Sequence, residues 1–79
     1  MTRFVRHARN RMRRYQISQE EVIGYIAQPE WDETEDDGHT QIAWVRKAGL
    51  YLKIVYSIED GDVVVITVGP RERLPEGLA

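Results

Sequence analysis

The chain has 79 residues, no cysteine, and 11 basic against 13 acidic side chains, a formal net charge of −2. That length holds one domain, and a core of this size supplies only about 3–5 kcal/mol unless disulfides, a metal or a partner add to it. Composition excludes disulfide stapling, and no apolar run approaches the roughly 20 residues of a membrane helix, so the expectation is a soluble, cytoplasmic protein with no membrane contact.

The stretch Met1 to Arg6 is positively charged but has no apolar run behind it, unlike a secretory signal. Residues 2–6 read as a short strand or an extended lead-in. Residues 3–14 hold six arginines and no acid, whereas residues 16–45 hold eight acids and no Lys or Arg. The near-neutral total therefore hides two opposed poles, an arrangement suited to a polyanion or to complementary self-association. From His7 to Gln16 the period is helical. Ala8, Met12 and Tyr15 fall at i, i+4 and i+7, with Val5 in line, as one apolar stripe. His7, Arg11 and Arg14 repeat that spacing as a cationic stripe beside it.

A second helix starts at Ser18. Glu21 stands three residues later as a capping box, and Ile17 with Val22 fits a hydrophobic staple. Val22, Ile23 and Ile26 form its expected buried face, and Pro29 stops it. After Pro29 the period becomes two. Residues 30–35 read as an edge strand whose charges discourage pairing, and Asp37-Gly38 is a turn. Residues 40–47, 50–58 and 63–68 read as strands, joined by two-residue hairpins at Ala48-Gly49 and Asp60-Gly61. Gly69-Pro70 ends the last of them, giving a single domain over 1–70 and a polar tail over 71–79.

Those hairpins set a register in which Lys47 opposes Leu50 and Glu59 opposes Asp62. One face then carries Ala43, Val45, Leu50, Leu52, Ile54, Tyr56, Ile58, Val63 and Val65, with Thr67 at its margin, and the helices should cover it. The other face carries Ile42, Trp44, Arg46, Tyr51, Lys53, Val55, Ser57, Val64, Ile66 and Val68. Aromatic rings beside cations suit a single-stranded nucleic acid, because bases stack and phosphates pair with positive charge. The same face admits a second copy of the chain through Val55, Val64, Ile66 and Val68, a covering tail, or simple cross-strand cation–ring pairs.

The run His7-Ala8-Arg9-Asn10-Arg11-Met12, followed by Ile17-Ser18-Gln19-Glu20-Glu21-Val22 and closed by Val65-Ile66-Thr67-Val68, resembles a bacterial family of small proteins carried as a domain of unknown function. The likeness covers roughly residues 4–68. By fold analogy that family is similar to the RelE and BrnT toxins, which set a helical pair on one side of an antiparallel sheet and cleave RNA without metal. The resemblance thus implies an RNA-directed activity and a small antitoxin protein as partner.

Cleavage of that kind needs a base for the 2′-hydroxyl and cations for the phosphorane. His7 is the candidate base, since Arg11 and Arg14 on its stripe would disfavour its protonation, and Arg11 is the candidate phosphate clamp. The competing reading ties His7 to backbone or to Thr67 in a structural role. His39 belongs to a solvated turn. The acids between Glu30 and Asp37 lack the ligand pattern of a calcium loop, and no motif points to a cofactor. The expected fold is α+β, with two N-terminal helices packed on one face of a three- to four-stranded antiparallel sheet. The leading function is a RelE-like, RNA-interacting protein with a metal-independent endoribonuclease activity as its catalytic form. Arg14, Trp44, Arg46, Tyr51 and Lys53 are the residues expected on nucleic acid. The alternative is a non-catalytic or homodimeric interaction module of the same fold.

Overall fold

The computed structural model describes residues 1–78. In chain order they form β1 (Thr2–Phe4), α1 (Arg6–Arg14), α2 (Gln19–Ala27), β2 (Trp31–Thr34), β3 (Thr40–Lys47), β4 (Leu50–Glu59) and β5 (Asp62–Arg71). Both hairpins take the expected register, with Lys47 opposite Leu50 and Glu59 opposite Asp62. Their central residues have φ values of 53° and 80° at Ala48-Gly49, and 53° and 82° at Asp60-Gly61. Two successive positive φ angles match the right-handed strand twist, and Gly at the second position carries the more demanding one.

The chain is α+β, but the sheet is larger than expected and is not purely antiparallel. It has five strands in the order β1-β5-β4-β3-β2. β1 pairs parallel with β5, Thr2 with Val63 and Phe4 with Val65. Three residues carry no readable periodicity, and their direction is set by the long crossover through the rest of the chain. β5 also runs to Arg71, past Gly69-Pro70, with Pro70 opposite Leu52. Proline is tolerated there because β1 pairs only as far as Val65, which leaves β5 an edge strand. The tail is therefore shorter than expected at its start, and Ala79 lies outside the described residues.

A bulge corrects the face assignment. Tyr56 opposes Val65 but Val55 opposes Thr67, so Ile66 is an extra residue in β5. Alternation reverses beyond it. Val68 joins the core opposite Ile54 and is fully buried, while Thr67 falls on the side of Val55. The apolar patch expected from Val55, Val64, Ile66 and Val68 does not form, since Val64 is also buried and only Ile66 stands exposed.

The core joins Ala8 and Met12 of α1, Ile17 and Val22, and the inner sheet face at Ala43, Val45, Leu52, Ile54, Val65 and Val68. Ile23 was expected within it but is exposed; Tyr25 packs there in its place beside Ile26, which takes its expected position, completing an i, i+3, i+4 stripe with Val22. Leu50 and Ile58 are likewise exposed at the ends of β4. Each helix has nine residues, about 14 Å at 1.5 Å per residue, and cannot roof a ten-residue strand of roughly 33 Å.

The helix ends are well specified. Ser18 Oγ accepts from Glu21 N–H at 3.0 Å and Ser18 N–H donates back to Glu21 Oε1 at 3.3 Å. α1 closes with Ile17 N–H on Met12 C=O (2.8 Å) and Gln16 N–H on Arg13 C=O (3.2 Å). This is the Schellman pattern, with Gln16 at φ 57° in the position that glycine usually fills. Lys47 Nζ reaches Glu21 Oε2 at 2.7 Å and ties α2 to β3; this bond holds the Glu21 carboxyl below its ordinary pKa and raises Lys47.

Candidate nucleic-acid interface

The helices leave one side of the sheet uncovered. Directly paired residues share a face, so the register writes out its rows. Arg46 of β3, Tyr51 of β4 and Arg71 of β5 form one row; Trp31, Trp44, Lys53 and Gly69 form the next. Within the first, Arg46 Nη2 donates to the Tyr51 hydroxyl at 3.1 Å, and its guanidinium lies 5.4 Å from that ring centre. The bond to Tyr51 raises the Arg46 pKa above its ordinary value. Trp31 meets Tyr51 edge to face at 5.7 Å. In the second row Lys53 Nζ sits 5.7 Å from the Trp44 ring centre.

Trp44 itself is only 2% exposed. Its Nε1–H donates to Glu33 Oε2 at 3.0 Å, which satisfies the buried indole. The ring is thus part of the sheet's own packing, and the aromatic surface left half-exposed belongs to Trp31 and Tyr51. Trp31 was hidden in the sequence by its acidic neighbours, although its two-residue alternation with Glu33 is the available signal. Arg71 was hidden by the Gly-Pro pair that reads as a strand stop.

His7 and Arg11 lie elsewhere on the same margin. Both leave α1 toward the outer edge of β5, beyond the end of β1. His7 Nε2 is 3.0 Å from Thr67 Oγ1, and Arg11 Nε–H donates to Val68 C=O at 3.4 Å. His7 has no carboxylate within 4 Å, and none of the α1 arginines has one either, among the described residues. Arg14 does not join them on the sheet. Its guanidinium lies 5.7 Å from the Tyr15 ring centre, which Arg11 also approaches at 5.2 Å, but unlike Arg11 it makes no hydrogen bond to β5 among the described residues.

The acids between Glu30 and Asp37 lie along the opposite edge, on β2 and the turn after it. Glu30 accepts the Arg46 backbone N–H at 2.8 Å, and Asp37 closes the turn after β2 by accepting from His39 and Thr40. Among the described residues no three His, Asp or Glu side chains gather closely enough to hold a metal ion. An apolar cleft of about 170 Å³ opens on the helix side, lined by Tyr15, Ile17, Lys47, Leu50, Leu52 and Pro70; it is smaller than the usual small-molecule site of about 300 Å³ or more. Among the described residues no helix is long and apolar enough to cross a membrane.

Comparison with known proteins gives one match, a family described as a domain of unknown function (DUF4258), over residues 4–70. No curated protein and no solved structure matches the chain.

Proposed function

We propose, from the premise that this chain belongs to the DUF4258 family, that it is an RNA-interacting protein whose uncovered sheet face receives a single strand. The observation that carries the reading is the row Arg46–Tyr51–Arg71 beside Lys53 and Trp31. Cations spaced by ring surfaces pair phosphates and stack bases without reading sequence.

Binding of a labelled single-stranded RNA should weaken steeply with salt. Three phosphate contacts, through Arg46, Lys53 and the neighbouring pair Arg11 and Arg71, give a log–log slope near −2 at about 0.7 per contact. Tyr51→Ala should weaken binding about tenfold, since base–ring stacking is worth about 1–3 kcal/mol. Undetectable or salt-independent binding overturns the reading.

A second, catalytic reading rests on His7 and Arg11 lying together along the β5 edge. There His7 would take the 2′-hydroxyl proton and Arg11 would hold the phosphate. In this geometry Thr67 Oγ1 occupies His7 Nε2, and among the described residues no carboxylate lies within 4 Å of the ring. Cleavage that disappears in His7→Ala at an unchanged melting temperature assigns the reaction. RNA bound but left intact by the wild type assigns the non-catalytic module instead.

A further inference from the structure

Gly69 is buried in β5 with no positive φ, so its backbone does not require glycine. Space does. A Cβ there would lie 2.8 Å from Arg11 Nη2 and 3.2 Å from Arg71 Nη1. The two guanidinium groups therefore close on one point above the glycine, on the side of the sheet shared with its partner Lys53. Arg11 reaches it from α1 around the free edge of β5, and Arg71 from two residues further along the strand.

Like charges held this close repel unless something gathers them. Each is steadied by a backbone carbonyl, Arg11 Nε–H donating to Val68 C=O (3.4 Å) and Arg71 Nη1–H to Pro70 C=O (2.8 Å), and the Arg11 guanidinium also lies 5.2 Å from the Tyr15 ring centre. Carbonyls fix orientation but supply no negative charge. Among the described residues no carboxylate lies within 4 Å of either group. A guanidinium carries five N–H donors, and one is used on each. What remains is two forks of donors converging on a gap with no counter-charge, the geometry that bidentate phosphate binding uses.

We propose that Arg11 and Arg71, converging over Gly69, form a phosphate clamp that seats one backbone phosphate of the bound strand. The assignment rests on the RNA reading of this face and adds the place of a phosphate to it. The clamp lies one row-step from Tyr51, the cross-strand partner of Arg71, so a phosphate in it leaves the adjoining base beside the ring.

The test uses the full chain and two probes. Inorganic phosphate is titrated while the arginine Nε–Hε signals are followed by NMR, and then single-stranded RNA affinity is measured. Two variants separate geometry from charge. Gly69→Ala keeps every charge and displaces the Arg11 tip, whereas Arg71→Gln removes one fork at an exposed strand end where folding is not at stake. The clamp predicts saturable phosphate shifts at Arg11 and Arg71 in the wild type, lost in both variants. It also predicts about tenfold weaker RNA binding in each, with the salt slope shallower by about 0.7 in Arg71→Gln. Equal shifts at Arg6, Arg9 and Arg13 would overturn it in favour of a diffuse cationic surface, as would RNA affinity unchanged in both variants. Phosphate bound in the clamp with no RNA binding at all would overturn the RNA reading and leave the clamp standing.

Discussion

Asp37 shows what one side chain does for a turn. The Thr40 hydroxyl donates to Oδ2 at 2.6 Å, and the Thr40 and His39 amides donate to Oδ1 at 2.8 and 2.9 Å. These bonds, the Thr40 hydroxyl first, favour the carboxylate and hold its pKa at about 2, below the ordinary 3.8. The depressed value means that its contribution to stability is full above about pH 4 and is lost as pH falls toward 2. Asp37→Ala should therefore melt earlier than wild type at pH 7, and the two melting curves should converge between pH 4 and 2. A constant gap across that window would refute the assignment. At this scale the sequence was legible where partners are near in the chain, as in this turn and in the Ser18–Glu21 box. It was legible for His7 only as a choice between catalysis and a bond to Thr67, because a contact spanning 60 residues is fixed by packing. Trp44 reads as a surface ring in the pattern, yet it is buried and bonded to Glu33, since alternation names a face and not the depth on it.

The element scale turns on the bulge in β5. Ile66, the added residue, is 38% exposed, whereas Val68 is fully buried opposite Ile54. The unbroken alternation expected from the hairpin puts both on the same face. Lysine substitution separates the two registers. Ile66→Lys should shift stability by no more than about 0.5 kcal/mol. Val68→Lys buries an unpaired charge and should abolish folding or lower stability by at least about 3 kcal/mol, read by chemical denaturation. Similar effects at both positions would restore the unbroken register. The helices, by contrast, were placed closely, because the apolar stripe of α1 and the capping box and proline stop of α2 act within a few residues. Bulges, parallel pairing and a strand that continues through Gly69-Pro70 depend on what lies alongside.

Across the whole molecule the charge asymmetry becomes spatial. α1 packs over β5 at one side of the sheet, and β2 with its acidic turn forms the opposite edge. Three strand spacings separate them by roughly 14 Å, beyond the Debye length of about 8 Å at physiological salt. The poles therefore do not neutralise each other, and an approaching polyanion meets the arginine side first. Arg6, Arg9 and Arg13 are exposed and lie outside the proposed site. Replacing all three with Gln should slow RNA association several-fold at low salt and leave dissociation within about twofold, as long-range steering requires. A change confined to the dissociation rate would place them in direct contact instead.

By itself the sequence determined the α+β class, both helices, the two hairpin turns and the placing of Arg46, Tyr51 and Lys53 on one face of the sheet. Each follows from local propensity or from a register counted outward from a turn. Only the tertiary structure decided the fifth strand, the burial of Trp44 and the meeting of Arg11 with Arg71 over Gly69. Those depend on residues as much as 60 positions apart being brought to one edge of the sheet, and no periodicity within either segment encodes such a distance.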